Sequence, residues 1–127
     1  MHGVTPILTA VPPPSTMSRP DGVHSGNPYV RAMTKRGDRQ TLAWASENPG
    51  GGRGFGFTGG HNHWNWAQPD FRKLVLNAAA WLAGAEIPED GIASSGYSLE
   101  ELQVGQDYVP WGKYKKAEVE KDLRDWR

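Results

Sequence analysis

The chain has 127 residues, no cysteine, and 14 basic side chains against 14 acidic ones. Disulfides and thiolate metal sites are therefore excluded, and no global field draws the chain to nucleic acid or an anionic lipid surface. The length suits one domain, and no run of about 18 apolar residues is present to span a membrane as a helix.

Only 37% of the residues are apolar, so the core is modest. Sixteen glycines and ten prolines make loops a large share of the chain. Six tryptophans argue against wholesale disorder, because disordered segments are poor in aromatics. The compartment and any cofactor are not readable from composition.

Residues 1–10 lack the basic and apolar regions of a signal peptide. The run Ile7-Leu8-Thr9-Ala10-Val11 reads as a strand that begins almost at once, with no cap or turn before it. It suggests a segment cut from a longer domain; the alternative is a true start ahead of an edge strand. Pro12-Pro13-Pro14 ends the run, since proline cannot continue a ladder. Residues 15–27 are polar, with a tight turn expected at Pro20-Asp21-Gly22. Residues 29–33 favour no element, and residues 35–38 read as a polar turn.

Two strands are predicted next, at residues 41–45 and 53–58. Phe55 and Phe57 share one face at period two. The loop Glu47-Asn48-Pro49-Gly50-Gly51-Gly52 between them predicts a β-hairpin. A helix is predicted from Pro69 to about Ala83. Pro69 suits its first position and Asp70 its first turn, while Gly84 stops it. Gln68 is a weak N-cap by type, so Asn65 is a candidate for setting the start. Phe71, Leu74, Val75, Ala78, Trp81 and Leu82 form an apolar face, widened by Leu76, Ala79, Ala80 and Ala83. That width predicts one helix buried on more than one side. Ser98-Leu99-Glu100-Glu101 resembles a capping box opening a short helix that fades near Gly105. Residues 108–114 read as irregular and residues 113–126 as a charged terminal helix. The expected organisation is a domain over 1–92 followed by a linker and helical appendage over 93–127.

The stretch Gly59-Gly60-His61-Asn62-His63-Trp64-Asn65-Trp66 gathers two imidazoles, two amides and two indoles between a strand and a helix. In α/β sheets, ligands bind beyond the carboxyl ends of strands, where such loops sit. Imidazole moves protons near neutral pH or offers a lone pair to a metal. Indoles stack on sugar rings, and Asn both donates to and accepts from hydroxyls. The structural alternative is that Trp64 and Trp66 pack over the helix while His61 meets a backbone group. A metal site at His61 and His63 needs a third ligand, with His24, His2 and Asp21 the candidates, and none has informative spacing. The glycines of residues 50–60 carry neither of the phosphate-binding fingerprints.

Residues 41–91 resemble the C-terminal part of ThuA-like (trehalose utilisation) domains. The resemblance rests on Ala43-Trp44, the Gly-Gly-Arg-Gly turn at 51–54, and Phe55-Gly56-Phe57-Thr58-Gly59-Gly60-His61. It continues through His63-Trp64-Asn65-Trp66, Asp70-Phe71-Arg72-Lys73-Leu74-Val75-Leu76-Asn77, Trp81 and Glu86-Ile87-Pro88. Residues 3–12 and His24-Ser25-Gly26-Asn27-Pro28 extend it to about three quarters of the chain, with a bacterial subgroup the nearest in pattern. The resemblance implies an α/β fold of the flavodoxin-like, class I glutamine-amidotransferase-like kind. This chain would supply its C-terminal part, with a β-hairpin, one buried helix and an extended tail. It places a catalytic histidine at His61, while the nucleophilic cysteine of the amidotransferases, which lies earlier in that domain, has no counterpart in this chain. The implied partner is a small carbohydrate, trehalose or a related disaccharide. On this reading His61 is the general acid/base, His63 and Asn65 orient a sugar hydroxyl, and Trp64 or Trp66 stacks on the ring. No metal is assigned. A non-catalytic sugar-binding or structural module, a truncated product without independent activity, and a homo-oligomer all stay open.

Overall fold

A computed structural model describes residues 3–18, 20–23, 26–106 and 115–125. The expected irregular run at 108–114 lies outside the described residues, as do His2, His24, Ser25 and Trp126. The chain combines helices with a three-stranded antiparallel sheet and divides into two compact units, Met1–Thr58 and Gly59–Arg127. It is of mixed α and β composition. All strand pairings among the described residues are antiparallel.

The first unit holds the sheet, in the order β1 (Thr5–Ala10), β2 (Gln40–Glu47), β3 (Arg53–Phe57). The expected hairpin is β2–β3. Its loop closes by Asn48 N–H donating to the Gly52 carbonyl at 2.8 Å and Gly51 N–H donating to the Asn48 carbonyl at 2.8 Å. The register pairs Ala43 with Phe57, Ala45 with Phe55, and Glu47 with Arg53. Directly opposed residues share a face, so both phenylalanines flank the fully buried Ala43, with ring centroids 6.4 Å apart. On the other face Trp44 opposes Gly56. A Cβ at residue 56 would lie 2.3 Å from the indole, so the Trp44 ring covers backbone that only glycine leaves bare.

Residues 29–33, which favour no element by pattern, lie within helix α1 (Pro28–Arg36). Its determinants are at its ends. The Asn27 side chain accepts from Val30 N–H at 3.0 Å, Pro28 occupies the first turn, and Gly37 N–H caps the Met33 and Thr34 carbonyls. Arg31 ties α1 to the preceding turn through Asp21 at 2.5 Å and the Met17 carbonyl.

The second unit is helical. A 3-10 turn (His63–Ala67) leads into α2 (Pro69–Leu82), followed by α3 (Leu99–Gln103) and α4 (Lys116–Asp125). Gln68, not Asn65, is the N-cap of α2: its side-chain oxygen accepts from Phe71 N–H at 2.5 Å. Gln reaches the N3 amide here as Asn or Ser would, which its usual rank as a cap does not anticipate.

The expectation of a helix buried on more than one side is corrected. Within α2 only Arg72 and Ala78 are buried, while Leu82 is 43% exposed. The extra width of the apolar face rests largely on alanines, and Ala79 and Ala83 stand exposed. A methyl group has little surface to bury, so it widens a pattern without demanding a partner. The tail is also not extended throughout. α3 opens with the full reciprocal capping box of Ser98 and Glu101, and α3 and α4 bury Leu99 and Val119 respectively. No helix among the described residues is long and apolar enough to cross a membrane.

Candidate functional site

The residues singled out by sequence fall in one continuous loop at the start of the second unit. Gly59 and Gly60 turn the chain, and the 3-10 turn carries His63, Trp64, Asn65 and Trp66. Asn65 Nδ2 donates to the Gly59 carbonyl at 2.8 Å, which ties the two ends of the loop together. Asn65 N–H donates to the Asn62 carbonyl at 3.1 Å and Gln68 N–H to the Asn65 carbonyl at 3.0 Å. The loop is thus a closed, hydrogen-bonded arc between Gly59 and α2.

Within that arc the candidate side chains divide by what they touch. Trp66 meets Phe71 edge to face, with centroids 5.0 Å apart and ring planes at 82°. Its carbonyl accepts from Arg72 Nη1 at 2.6 Å. Asn65 and Trp66 are half-buried and engaged in holding the loop on α2, and Trp64 is half-buried beside them. His61 and His63 are exposed. His61 makes no hydrogen bond among the described residues. His63 Nε2 lies 2.9 Å from the Leu102 carbonyl of α3.

Behind the loop stands a residue that sequence reasoning passed over. Arg72 is 4% exposed, although it carries a permanent charge. Besides the Trp66 carbonyl, its Nε donates to Ser94 Oγ at 2.9 Å, and its guanidinium lies over the Tyr97 ring at 5.6 Å. All three partners are neutral. The segment that reaches Ser94 and Tyr97 runs back along α2. Ile92 N–H donates to Asn77 Oδ1 at 2.9 Å, and Gly91, at φ +80°, lies so close to Asn77 and Lys73 that a Cβ would meet Asn77 Nδ2 at 2.9 Å. Arg72 therefore clasps the loop, the helix and the returning segment together. The one sequence signal was its helical phase, since Arg72 shares a face with Val75 and Leu76 at i+3 and i+4.

No family model, curated protein or solved structure matches the chain. Among the described residues no three His, Cys, Asp or Glu side chains are grouped to hold a metal ion. Asp21, one of the third ligands considered, is paired with Arg31, and His2 and His24 lie outside the described residues. A cleft of about 180 Å³ in the second unit is lined by Tyr97, Ser98, Leu99, Glu100, Glu120, Leu123 and Arg124, and no residue of the 59–66 loop lines it. What the loop offers chemically is two accessible imidazoles next to half-buried indoles, on a backbone fixed at both ends. Such an arrangement can hydrogen-bond hydroxyl groups and present an aromatic edge or face to a sugar ring, with a proton acceptor in place.

Proposed function

We propose that the chain is the C-terminal part of a ThuA-like domain of the flavodoxin-like kind, and that its 59–66 loop binds and processes a small carbohydrate such as trehalose. The observation that carries this reading is the pair of exposed imidazoles, His61 and His63, on a loop whose backbone is already ordered by Asn65, Trp66 and Arg72. An ordered loop gives up little entropy on binding, so modest contacts to hydroxyl groups suffice. The sequence of strand, Gly-Gly-His loop and helix supports the same reading. On this view the parallel strands of the fold come from chain outside this sequence, and the β2–β3 hairpin is the part carried here.

His61 is the general acid/base of this proposal. His63 orients a hydroxyl, and Trp64 lies against the sugar. The contacts of Asn65 and Trp66 favour a second reading for those two residues, as structural members of the loop with no contact to ligand. Trehalose titration of tryptophan fluorescence separates the possibilities. Saturable quenching that is lost in Trp64→Ala, with product formed and turnover lost in His61→Ala, supports a sugar-processing loop. Quenching without product supports a binding module. No saturable response with trehalose or related disaccharides removes the carbohydrate reading.

A further inference from the structure

The two histidines of the loop are not equivalent. His61 is exposed and has no hydrogen-bond partner among the described residues, so nothing fixes its ring or its tautomer. His63 is also exposed, but its Nε2 lies 2.9 Å from the carbonyl oxygen of Leu102. A carbonyl oxygen can only accept, so Nε2 carries the hydrogen. The neutral ring then leaves Nδ1 as a bare lone pair.

The partner is well suited to this role. Leu102 lies in the last turn of α3, where carbonyls run out of helical N–H partners. α3 is anchored by the reciprocal Ser98–Glu101 capping box and by Leu99, which is 5% exposed. The 3-10 turn and α3 are neighbours in the same unit. The hydrogen bond joins residues 39 positions apart, so the C-terminal segment reaches back to set the orientation of a loop side chain.

We propose that His63, through Nδ1, is an oriented proton acceptor of the loop beside His61, with the Leu102 carbonyl as the group that positions it. The inference rests on the carbohydrate reading for the source of the proton and adds a fixed acceptor to it: His63 takes up a hydroxyl hydrogen as the sugar binds, while His61 stays the acid/base of turnover. In the step envisaged, a sugar O–H bond breaks as the Nδ1–H bond forms, and the O–H electron pair stays on the sugar oxygen. The ring becomes an imidazolium whose Nε2–H still donates to Leu102.

The test is nitrogen-15 NMR of the imidazoles in the full 127-residue chain, followed by trehalose titration of two variants. His63 should show a protonated Nε2, with its hydrogen protected from solvent exchange, and a bare Nδ1; His61 should show unprotected, averaged nitrogens. His63→Gln keeps an amide donor near the Nε2 position and removes the Nδ1 acceptor. It should melt close to the parent yet lose about tenfold in trehalose affinity, the size of one good hydrogen bond. His61→Gln should lose no more than about threefold in affinity, roughly half of the same free energy. A protonated Nδ1 on His63, or a loss confined to His61→Gln, overturns the proposal. If the parent chain does not bind trehalose, the carbohydrate reading falls, and the nitrogen spectra still decide which imidazole is the oriented acceptor.

Discussion

Arg72 gives the most direct access to the energetics of the second unit. Truncation to alanine removes the donor from the Trp66 carbonyl, and an acceptor left unpaired in a part-buried position costs about 1–3 kcal/mol. Ser94 is exposed and its hydroxyl can return to water, so that bond contributes little. The aliphatic stem adds roughly another 1 kcal/mol, because it fills space that alanine leaves empty. Set against these losses is the relief of desolvation on removing a buried charge, about 1 kcal/mol once the compensation from the Tyr97 face and the carbonyl dipole is counted. The sum for Arg72→Ala is a loss of about 2 kcal/mol, or a fall in Tm of roughly 8–16 °C for a unit of this size. Arg72→Met keeps the stem and sheds the charge, and should cost about 1 kcal/mol by the same reasoning. Arg72→Lys keeps the charge but replaces the planar fork with a point donor that cannot serve Trp66, Ser94 and the Tyr97 face together, so it should be no better than alanine. The assay is thermal unfolding followed by near-ultraviolet circular dichroism, which reports the tryptophans. A lysine variant melting with the parent, or an alanine variant unchanged, would refute the claim that the guanidinium geometry holds this unit together.

Gly56→Ala places a Cβ 2.3 Å from the Trp44 ring, so the indole must move off β3; a loss of about 1–3 kcal/mol and a weakened near-ultraviolet signal are expected, and an unchanged spectrum would contradict the register. Lys116 pairs with Glu100 at 2.9 Å and with Glu120 at 3.6 Å, linking α3 to α4. The hydrogen bond from Lys116 holds the Glu100 carboxyl below its usual range. A depressed carboxylate stabilises the folded state above its unfolded pKa, near 4.5, and that contribution fades as pH falls through the lower folded value. The protection of α4 amides, taken relative to their intrinsic exchange at each pH, should therefore fall in acid, and Glu100→Gln should show the lower protection already at neutral pH. Equal protection in the two proteins at neutral pH would show that the pair does not hold α4.

The parts of this architecture that are legible in the sequence are those with local causes. The hairpin follows from Phe55 and Phe57 at period two and from an Asn-Pro-Gly-rich loop, and the structure pairs β2 with β3 accordingly. α2 follows from apolar spacing bounded by Pro69 and Gly84, and α3 from a capping box whose two hydrogen bonds both form. What was missed has distant or weak causes. α1 has too few apolar residues to show a period, and its definition comes from Asn27, Pro28 and Gly37 at its ends. The burial of Arg72 depends on Ser94 and Tyr97, which only a chain folded back along α2 brings to it. The loop 59–66 stands out by composition. Its internal division does not, because the tie of Asn65 to Gly59 and the docking of His63 on Leu102 are tertiary facts.

The measurement that tests the central claim most directly is trehalose titration of the nitrogen-15-labelled 127-residue chain, followed by backbone and imidazole NMR shifts. The account predicts saturable shifts concentrated at His61, His63 and Trp64, with smaller ones at Asn65 and Trp66, whose contacts already hold the loop. Shifts absent throughout, or confined to the cleft at Leu99 and Leu123, would show that this loop is not a carbohydrate site.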